Sequence, residues 1–232
     1  MPDSIYVLLG LCVGSLGTLV GAGGGFLLVP ILLFLHPELS AAKITGISFL
    51  AVVANASSGS IVYILRRQVH WHSARIFTLC SLPGLLLGFL LVQRVQSPLF
   101  QFIFGVILSA IAVFILRRSA GVRIEKDGDR DFTLNSRQTI FGGLASCAIG
   151  AVASFLGIGG GIIHVPLLTE WLKFPVHLAT GTSHCILAVT AFFVVVGHYH
   201  AGDYADLDSF VVMLSLGVVM GAQIGARASK YV

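Results

Sequence analysis

The chain has 232 residues, of which 56% are apolar and only 10% charged; the mean hydropathy is +0.94 and the formal net charge +4. Soluble domains carry about 25% charged residues, so there is too little polar material here to coat a soluble core. The excess cations fall in short connecting segments, not on a soluble domain, which excludes a nucleic-acid-binding face and suits orientation in a lipid bilayer.

The amino terminus, Met1-Pro2-Asp3-Ser4, has no basic stretch and so does not read as a cleaved signal peptide. Residues 4–37 then carry no Asp, Glu, Lys or Arg. One helix over that stretch would be roughly 50 Å long, against a hydrocarbon core of about 30 Å, so it must be interrupted. Gly21 and Gly23-Gly24-Gly25 supply the break, since each interior glycine costs a helix about 1 kcal/mol relative to alanine. Charge-free stretches 44–65, 76–93 and 95–116 follow, each near span length. Ten of the 24 charges crowd between Arg117 and Arg137, which marks 118–137 as a linker at the membrane surface. Residues 138–169 form a second overlong apolar stretch, broken at Gly157 and Gly159-Gly160-Gly161, and 174–202 and 209–226 are two more spans. The expected fold is an all-α integral membrane protein.

The two broken stretches are copies. GAGGGFLLVP (21–30) and GIGGGIIHVP (157–166) share six of ten positions at an offset of 136; Gly14 and Gly150 share that offset, and Thr45-Gly46-Ile47-Ser48 matches Thr180-Gly181-Thr182-Ser183 at 135. Gly84, Gly88 and Arg94 match Gly217, Gly221 and Arg227 at 133. These offsets divide the chain into a first repeat, 1–117, the linker 118–137, and a second repeat, 138–232. The counterpart of 95–116 would fall beyond Val232, so the second repeat is expected to read one helix short here, whether by nature or by truncation.

Charge sets the expected orientation. The loop at 66–75 holds Arg66, Arg67 and Arg75, whereas its counterpart at 198–208 holds Asp203, Asp206 and Asp208. If each glycine-broken stretch returns to its starting side, 12 Lys and Arg fall on one face and 2, Lys43 and Arg94, on the other. Single crossings give 9 and 5. Cations favour the cytoplasmic side, so the cleaner split predicts inverted repeats with the linker in the cytoplasm of a cell-membrane protein. Tyr63, Trp71, Trp171, Tyr199 and Tyr204 are expected at the membrane interfaces.

A Gly-x-Gly-Gly-Gly run followed by Val-Pro and then Thr-Gly-x-Ser, present twice, resembles the TauE/SafE family of sulfite-exporter-like permeases, over nearly the whole chain. The resemblance implies two homologous halves with seven or eight spans, and a permease for small sulfur-containing anions such as sulfite or organosulfonates. This sequence departs from its own repeat at His164, which stands where the first copy has Leu28, and in the missing last helix.

A helix broken inside a membrane exposes backbone N–H groups, which is tolerated only against protein or a watery cavity. Paired breaks at matching repeat positions point to a transporter's site, and N–H groups at a helix start suit an anion. Gly23, Gly24, Gly25, Gly159, Gly160 and Gly161 are therefore the expected anion cradle; the alternative is that they only permit close helix packing. Thr45, Ser48, Thr180 and Ser183 could donate to an oxyanion or could cap and tie helices. Asn55, in mid-span, needs a partner or the cavity. His164 and His184 are proton-coupling candidates, or packing histidines. Arg94 and Arg227 read as interface anchors or as groups that draw anions to the mouth. His198, His200 and Asp203, with His70 and His72, raise a divalent-metal permease as the second reading, but no acidic residue lies within the spans. Neither cofactor nor resident metal is expected. No nucleophile and base are suitably spaced for an enzyme: His184 and Cys185 are neighbours on one helix, pointing about 100° apart. The four cysteines lie in apolar stretches with no Cys-x-x-Cys pair, which suits packing.

Overall fold

The computed structural model describes residues 3–118, 133–205 and 209–229. Residues 119–132 of the charged linker, Asp206, Asp208 and Lys230 lie outside the described residues. The described residues are helical throughout: α1 (Asp3–Leu19), α2 (Gly25–Leu35), α3 (Ala41–Leu65), α4 (Trp71–Val92), α5 (Ser97–Arg118), α6 (Ser136–Leu156), α7 (Gly161–Pro166, running on into a π-helical turn, Leu167–Trp171), α8 (Val176–Ala201) and α9 (Ser209–Ala228). Six helices, α3, α4, α5, α6, α8 and α9, are long and apolar enough to cross a membrane, while α1 and α2 are shorter apolar helices.

Both overlong stretches break where the glycines predict. Gly21, Gly23 and Gly24 take φ of 77°, 76° and 83°, and Gly157, Gly159 and Gly160 take 73°, 77° and 77°, a left-handed conformation that only glycine adopts without strain. The chain then turns back. Tyr6, near the start of α1, hydrogen-bonds through its hydroxyl to His36 Nε2 at the end of α2 (3.1 Å); the His36 ring stacks on Phe210 and the Tyr6 ring packs tilted against it. Likewise Phe141, early in α6, stacks on Trp171 at the end of the second arm (5.4 Å). Each glycine stretch is thus a hairpin that begins and ends on one side.

Capping explains the other starts. Ser40 accepts from Lys43 N at the head of α3, His70 from Ser73 N at α4, and Asn135 with Gln138 forms a reciprocal capping box at α6, leaving few orphan donors.

The helices pair across the two repeats. α1 packs most extensively on α9, and α6 on α4. Glycines make these contacts close enough for backbones to touch. A Cβ on Gly217, Gly221 or Gly225 would strike the carbonyls of Val7, Leu11 or Ser15, and one on Gly84 or Gly88 those of Cys147 or Ala151. The numbers rise together on both members, so each pair is parallel. α3 packs on α8 in the opposite sense: Gly46 and Phe49 lie against His198, whereas Gly59 and Tyr63 lie against His184.

These contacts correct one offset. Gly14 faces the carbonyl of Val218 as Gly150 faces that of Ser81, and Gly221 faces Leu11 as Gly84 faces Cys147. With α1 and α6 offset by 136, the packing equivalence of α4 and α9 is 137, one helical turn beyond the sequence match. Glycine recurring every fourth residue fits itself equally well when slid by a turn. Arg94 and Arg227 are then no longer counterparts, although both are exposed. α5 lies at the periphery and packs on the core through Phe100 and Phe104, the Phe100 ring meeting Phe155 (5.6 Å).

Candidate functional site

The two glycine turns, 136 residues apart in sequence, meet face to face between α3 and α8. A Cβ on Gly25 would lie 2.6 Å from the Gly157 carbonyl oxygen and 3.0 Å from Ile158 Cα; one on Gly161 would strike the Gly21 carbonyl oxygen and lie 2.7 Å from Ala22 Cα. Gly23 and Gly159 both face the side chains of Val52 and Leu187, which hold equivalent positions on α3 and α8. The Gly21 turn abuts Thr180, and the Gly157 turn abuts Thr45. Gly23, Gly24, Gly25, Gly159, Gly160 and Gly161 are all buried.

The remaining sequence candidates divide by what their polar atoms do. Thr45 and Thr180 donate to carbonyls one turn back in their own helices, Ala41 and Val176, both at 3.0 Å. Ser48 Oγ donates to the Gly157 carbonyl at 2.7 Å. Asn55 ties α3 to α1: its Nδ2 donates to the Gly14 carbonyl (2.9 Å) and its Oδ1 accepts from Thr18 Oγ1 (2.8 Å). His164 Nε2 meets Ser146 Oγ at 3.3 Å, joining the arms of the second hairpin. Ser183 Oγ is buried without a hydrogen-bond partner among the described residues, and both ring nitrogens of His184 without a well-aligned one.

The structure brings in residues that motif reading missed. Val52 and Leu187 are ordinary aliphatic residues in apolar runs, and only the meeting of the turns singles them out. Tyr63, expected at an interface, is 2% exposed and donates to the Thr18 carbonyl at 3.1 Å. Trp71, Trp171 and Tyr199 are exposed.

Three of the four paired histidines lie within helices, and His70 caps one. His198 and His200 lie in the last turn of α8, and His70 and His72 at the head of α4. His198 Nδ1 contacts Asp203 Oδ2 (2.6 Å), which also accepts from Gln93 Nε2 (2.6 Å). Tyr204 beside them donates to the Gly46 carbonyl at 3.0 Å, and burial, aided by Asp203, pushes its hydroxyl above the usual tyrosine range. Among the described residues no group of three His, Cys, Asp or Glu is placed to hold a metal ion.

On one flank, Ser60, Arg75, Trp71 and Cys185 help line a largely apolar cavity of about 540 Å³ between α3, α4 and α8.

The family resemblance read from the repeated glycine motif is borne out by comparison with known proteins. The profile described as sulfite exporter TauE/SafE matches residues 6–232. The chain belongs to the TauE/SafE family. A "Probable membrane transporter protein" of Bacillus subtilis is 27% identical over 99% of this chain and 89% of its own length. One from Methanocaldococcus jannaschii is 29% identical over 97% and 86%. "Sulfite exporter TauE/SafE family protein 1" of Arabidopsis thaliana is 32% identical over 47% of this chain and 25% of its own. No solved structure matches the chain. This TauE/SafE member is a multi-pass membrane protein of a transporter family.

Proposed function

We propose that the protein is a secondary transporter that moves small sulfur-containing anions, sulfite or organosulfonates, across the cell membrane by alternating access. The observation that carries this reading is the face-to-face meeting of two glycine turns from the two repeats, at mid-height of α3 and α8. Broken helices at the repeat interface hold the substrate in many transporters. Backbone N–H groups bind an anion without a fixed charge, which suits a ligand that must leave again. Relatives named as transporters, one of them as a sulfite exporter family protein, support the same reading.

Inverted repeats belong to it. α3 and α8 are counterparts in sequence and run antiparallel, as an axis in the membrane plane requires. With hairpins and crossings taken in chain order, Arg66, Arg67, Arg75, Arg137, Lys173 and Arg227 fall on one side, opposite Lys43 and Arg94. We assign the basic side, linker included, to the cytoplasm.

The test is uptake of radiolabelled sulfite into liposomes under nitrogen, with sulfate, sulfoacetate and chloride as competitors and Gly24→Leu and Gly160→Leu alongside. Saturable uptake, lost in either folded variant, is expected. Wild type that moves none of these anions overturns the reading.

A further inference from the structure

The two half-sites are related by the repeat, and one difference between them leaves polar atoms unpaired. In one, Gly157 abuts Thr45, and Ser48 Oγ donates to the Gly157 carbonyl at 2.7 Å. Phe49 follows Ser48 and packs on the His198 ring, 6.3 Å between centroids. In the other, Gly21 abuts Thr180 in the same way. Ser183 stands where Ser48 stands, and His184 where Phe49 stands. The expected bond from Ser183 to Gly21 is not made.

Instead, polar atoms on two successive residues of α8 are left without a well-made bond. Ser183 is 1% exposed and His184 0%; the Ser183 hydroxyl has no hydrogen-bond partner among the described residues, and the His184 ring turns one nitrogen toward the Gly21 carbonyl without making a well-aligned hydrogen bond to it. The ring packs edge-on to Tyr63 (5.3 Å), against Gly59 and beside the Gly21 carbonyl. Leaving a buried polar group unpaired costs about 1–3 kcal/mol. A phenylalanine, as at the mirror position, would avoid the penalty at His184, so its cost signals a ligand.

The chemistry of these atoms sets what that ligand offers. A neutral imidazole has one N–H donor and one lone-pair acceptor, and a serine hydroxyl can donate. With the ring N–H turned to the Gly21 carbonyl, the Ser183 donor and the remaining ring acceptor match an oxyanion that still carries a proton. A fully deprotonated sulfonate or sulfate presents acceptors only and would leave the ring acceptor facing negative oxygen. Resting on the transport reading above, we propose that the site is asymmetric: a monoprotonated oxyanion of the hydrogen sulfite type is held by Ser183 and His184 at the first glycine turn, while the Ser48–Gly157 bond closes the mirror half-site.

The experiment is equilibrium binding to the full chain in nanodiscs, with sulfite (under nitrogen, near neutral pH) and methanesulfonate as probes. Variants are Ser183→Ala and His184→Phe. Wild type should prefer sulfite at least tenfold. Each variant should lose tenfold or more in sulfite affinity, with methanesulfonate affinity little changed. His184→Phe copies the mirror residue and removes both ring nitrogens, so its thermal midpoint should hold or rise, separating lost binding from lost fold. Sulfite bound equally by wild type and both variants overturns this inference, as does a wild type that prefers methanesulfonate; either result leaves sulfur-anion transport standing. A wild type that binds neither probe and transports no anion removes both.

Discussion

Gly25 and Gly161 offer the sharpest test of the meeting of the turns. Both open the second arm of a hairpin with helical backbone, so alanine suits them locally and should stabilise each helix by about 1 kcal/mol. Their surroundings oppose it. A Cβ on Gly25 falls 2.6 Å from the Gly157 carbonyl oxygen and 2.9 Å from Val52 Cγ2, and one on Gly161 strikes the Gly21 carbonyl oxygen. Carbon and oxygen settle at about 3.3 Å, so the turns must part by roughly 0.7 Å. Overpacking of this kind costs ~1–3 kcal/mol. Set against the propensity gain, Gly25→Ala and Gly161→Ala should each lose up to ~2 kcal/mol. Gly105 on α5 is the control: it is exposed and helical, and a Cβ there meets nothing within 4 Å, so Gly105→Ala should gain about 1 kcal/mol. Unfolding by SDS in mixed micelles, followed by tryptophan fluorescence, gives all three. If Gly25→Ala and Gly161→Ala prove as stabilising as Gly105→Ala, the two turns do not touch and the reasoning fails.

Leu187 and Val52 press on both turns; Leu187→Ala should cost about 2–5 kcal/mol, and both truncations should let sulfite run down its gradient faster through liposome-reconstituted protein. Unchanged flux in folded variants would mean that they do not plug the path. Asn55→Ala should destabilise the bundle by ~1–3 kcal/mol, because Thr18 loses its acceptor; a double-mutant cycle with Thr18→Val should give a coupling near 0.6 kcal/mol, and zero coupling would dismiss the bond. The hydroxyl of Tyr204 is held above the ordinary tyrosine value of 10.0 by burial first and Asp203 second. The folded state therefore keeps that proton longer than the unfolded chain, so this contribution is whole below pH ~10 and fades as pH rises further. Tyr204→Phe should flatten the alkaline fall in stability, and ultraviolet titration that shows Tyr204 ionising with exposed tyrosines would refute the cause.

The hairpins were legible before any coordinates because an apolar stretch can be measured against a bilayer. Residues 4–37 are too long to span once, and glycine marks where they yield. The register of α4 on α6 and α9 on α1 was less legible. Gly84 and Gly88 match Gly217 and Gly221 by eye, yet pack as Gly221 and Gly225 do, because glycine spaced by four residues cannot tell one turn from the next. Val52 and Leu187 carried no signal at all, since an aliphatic residue over a glycine turn looks like any other in an apolar run. Thr45 and Thr180 show the reverse: their motif is conspicuous, but each hydroxyl is spent on its own helix. Ser183 and Ser48 are identical in the motif, and only the partner each finds tells them apart.

The pairing of helices also decides what can move. Alternating access is usually pictured as one sequence repeat rocking on the other. Here the fourth helix of each repeat is exchanged: α9 lies backbone to backbone on α1, and α4 on α6. Pulling α9 from α1 would undo contacts at Gly10, Gly14, Gly217, Gly221 and Gly225 together. If each close pair moves as a unit with its repeat-related neighbours, the halves are α1, α2, α3 and α9 on one side and α4, α6, α7 and α8 on the other, and between them lie the two glycine turns and the α3–α8 face, which is itself more extensive than α3–α9 or α4–α8. Transport by rocking therefore needs sliding at α3–α8, not between residues 1–117 and 138–232 as blocks. Cross-linking separates the two pictures. A bismaleimide bridge from native Cys12 on α1 to Met220→Cys on α9, with the other cysteines removed, lies within one bundle and should leave sulfite uptake at wild-type rate. A bridge from Ile64→Cys to Val189→Cys, across the cavity that both line on α3 and α8, should abolish it. Uptake that stops with the first bridge and survives the second would mean that the repeats themselves are the moving parts, and that the exchanged helices slide on their glycines.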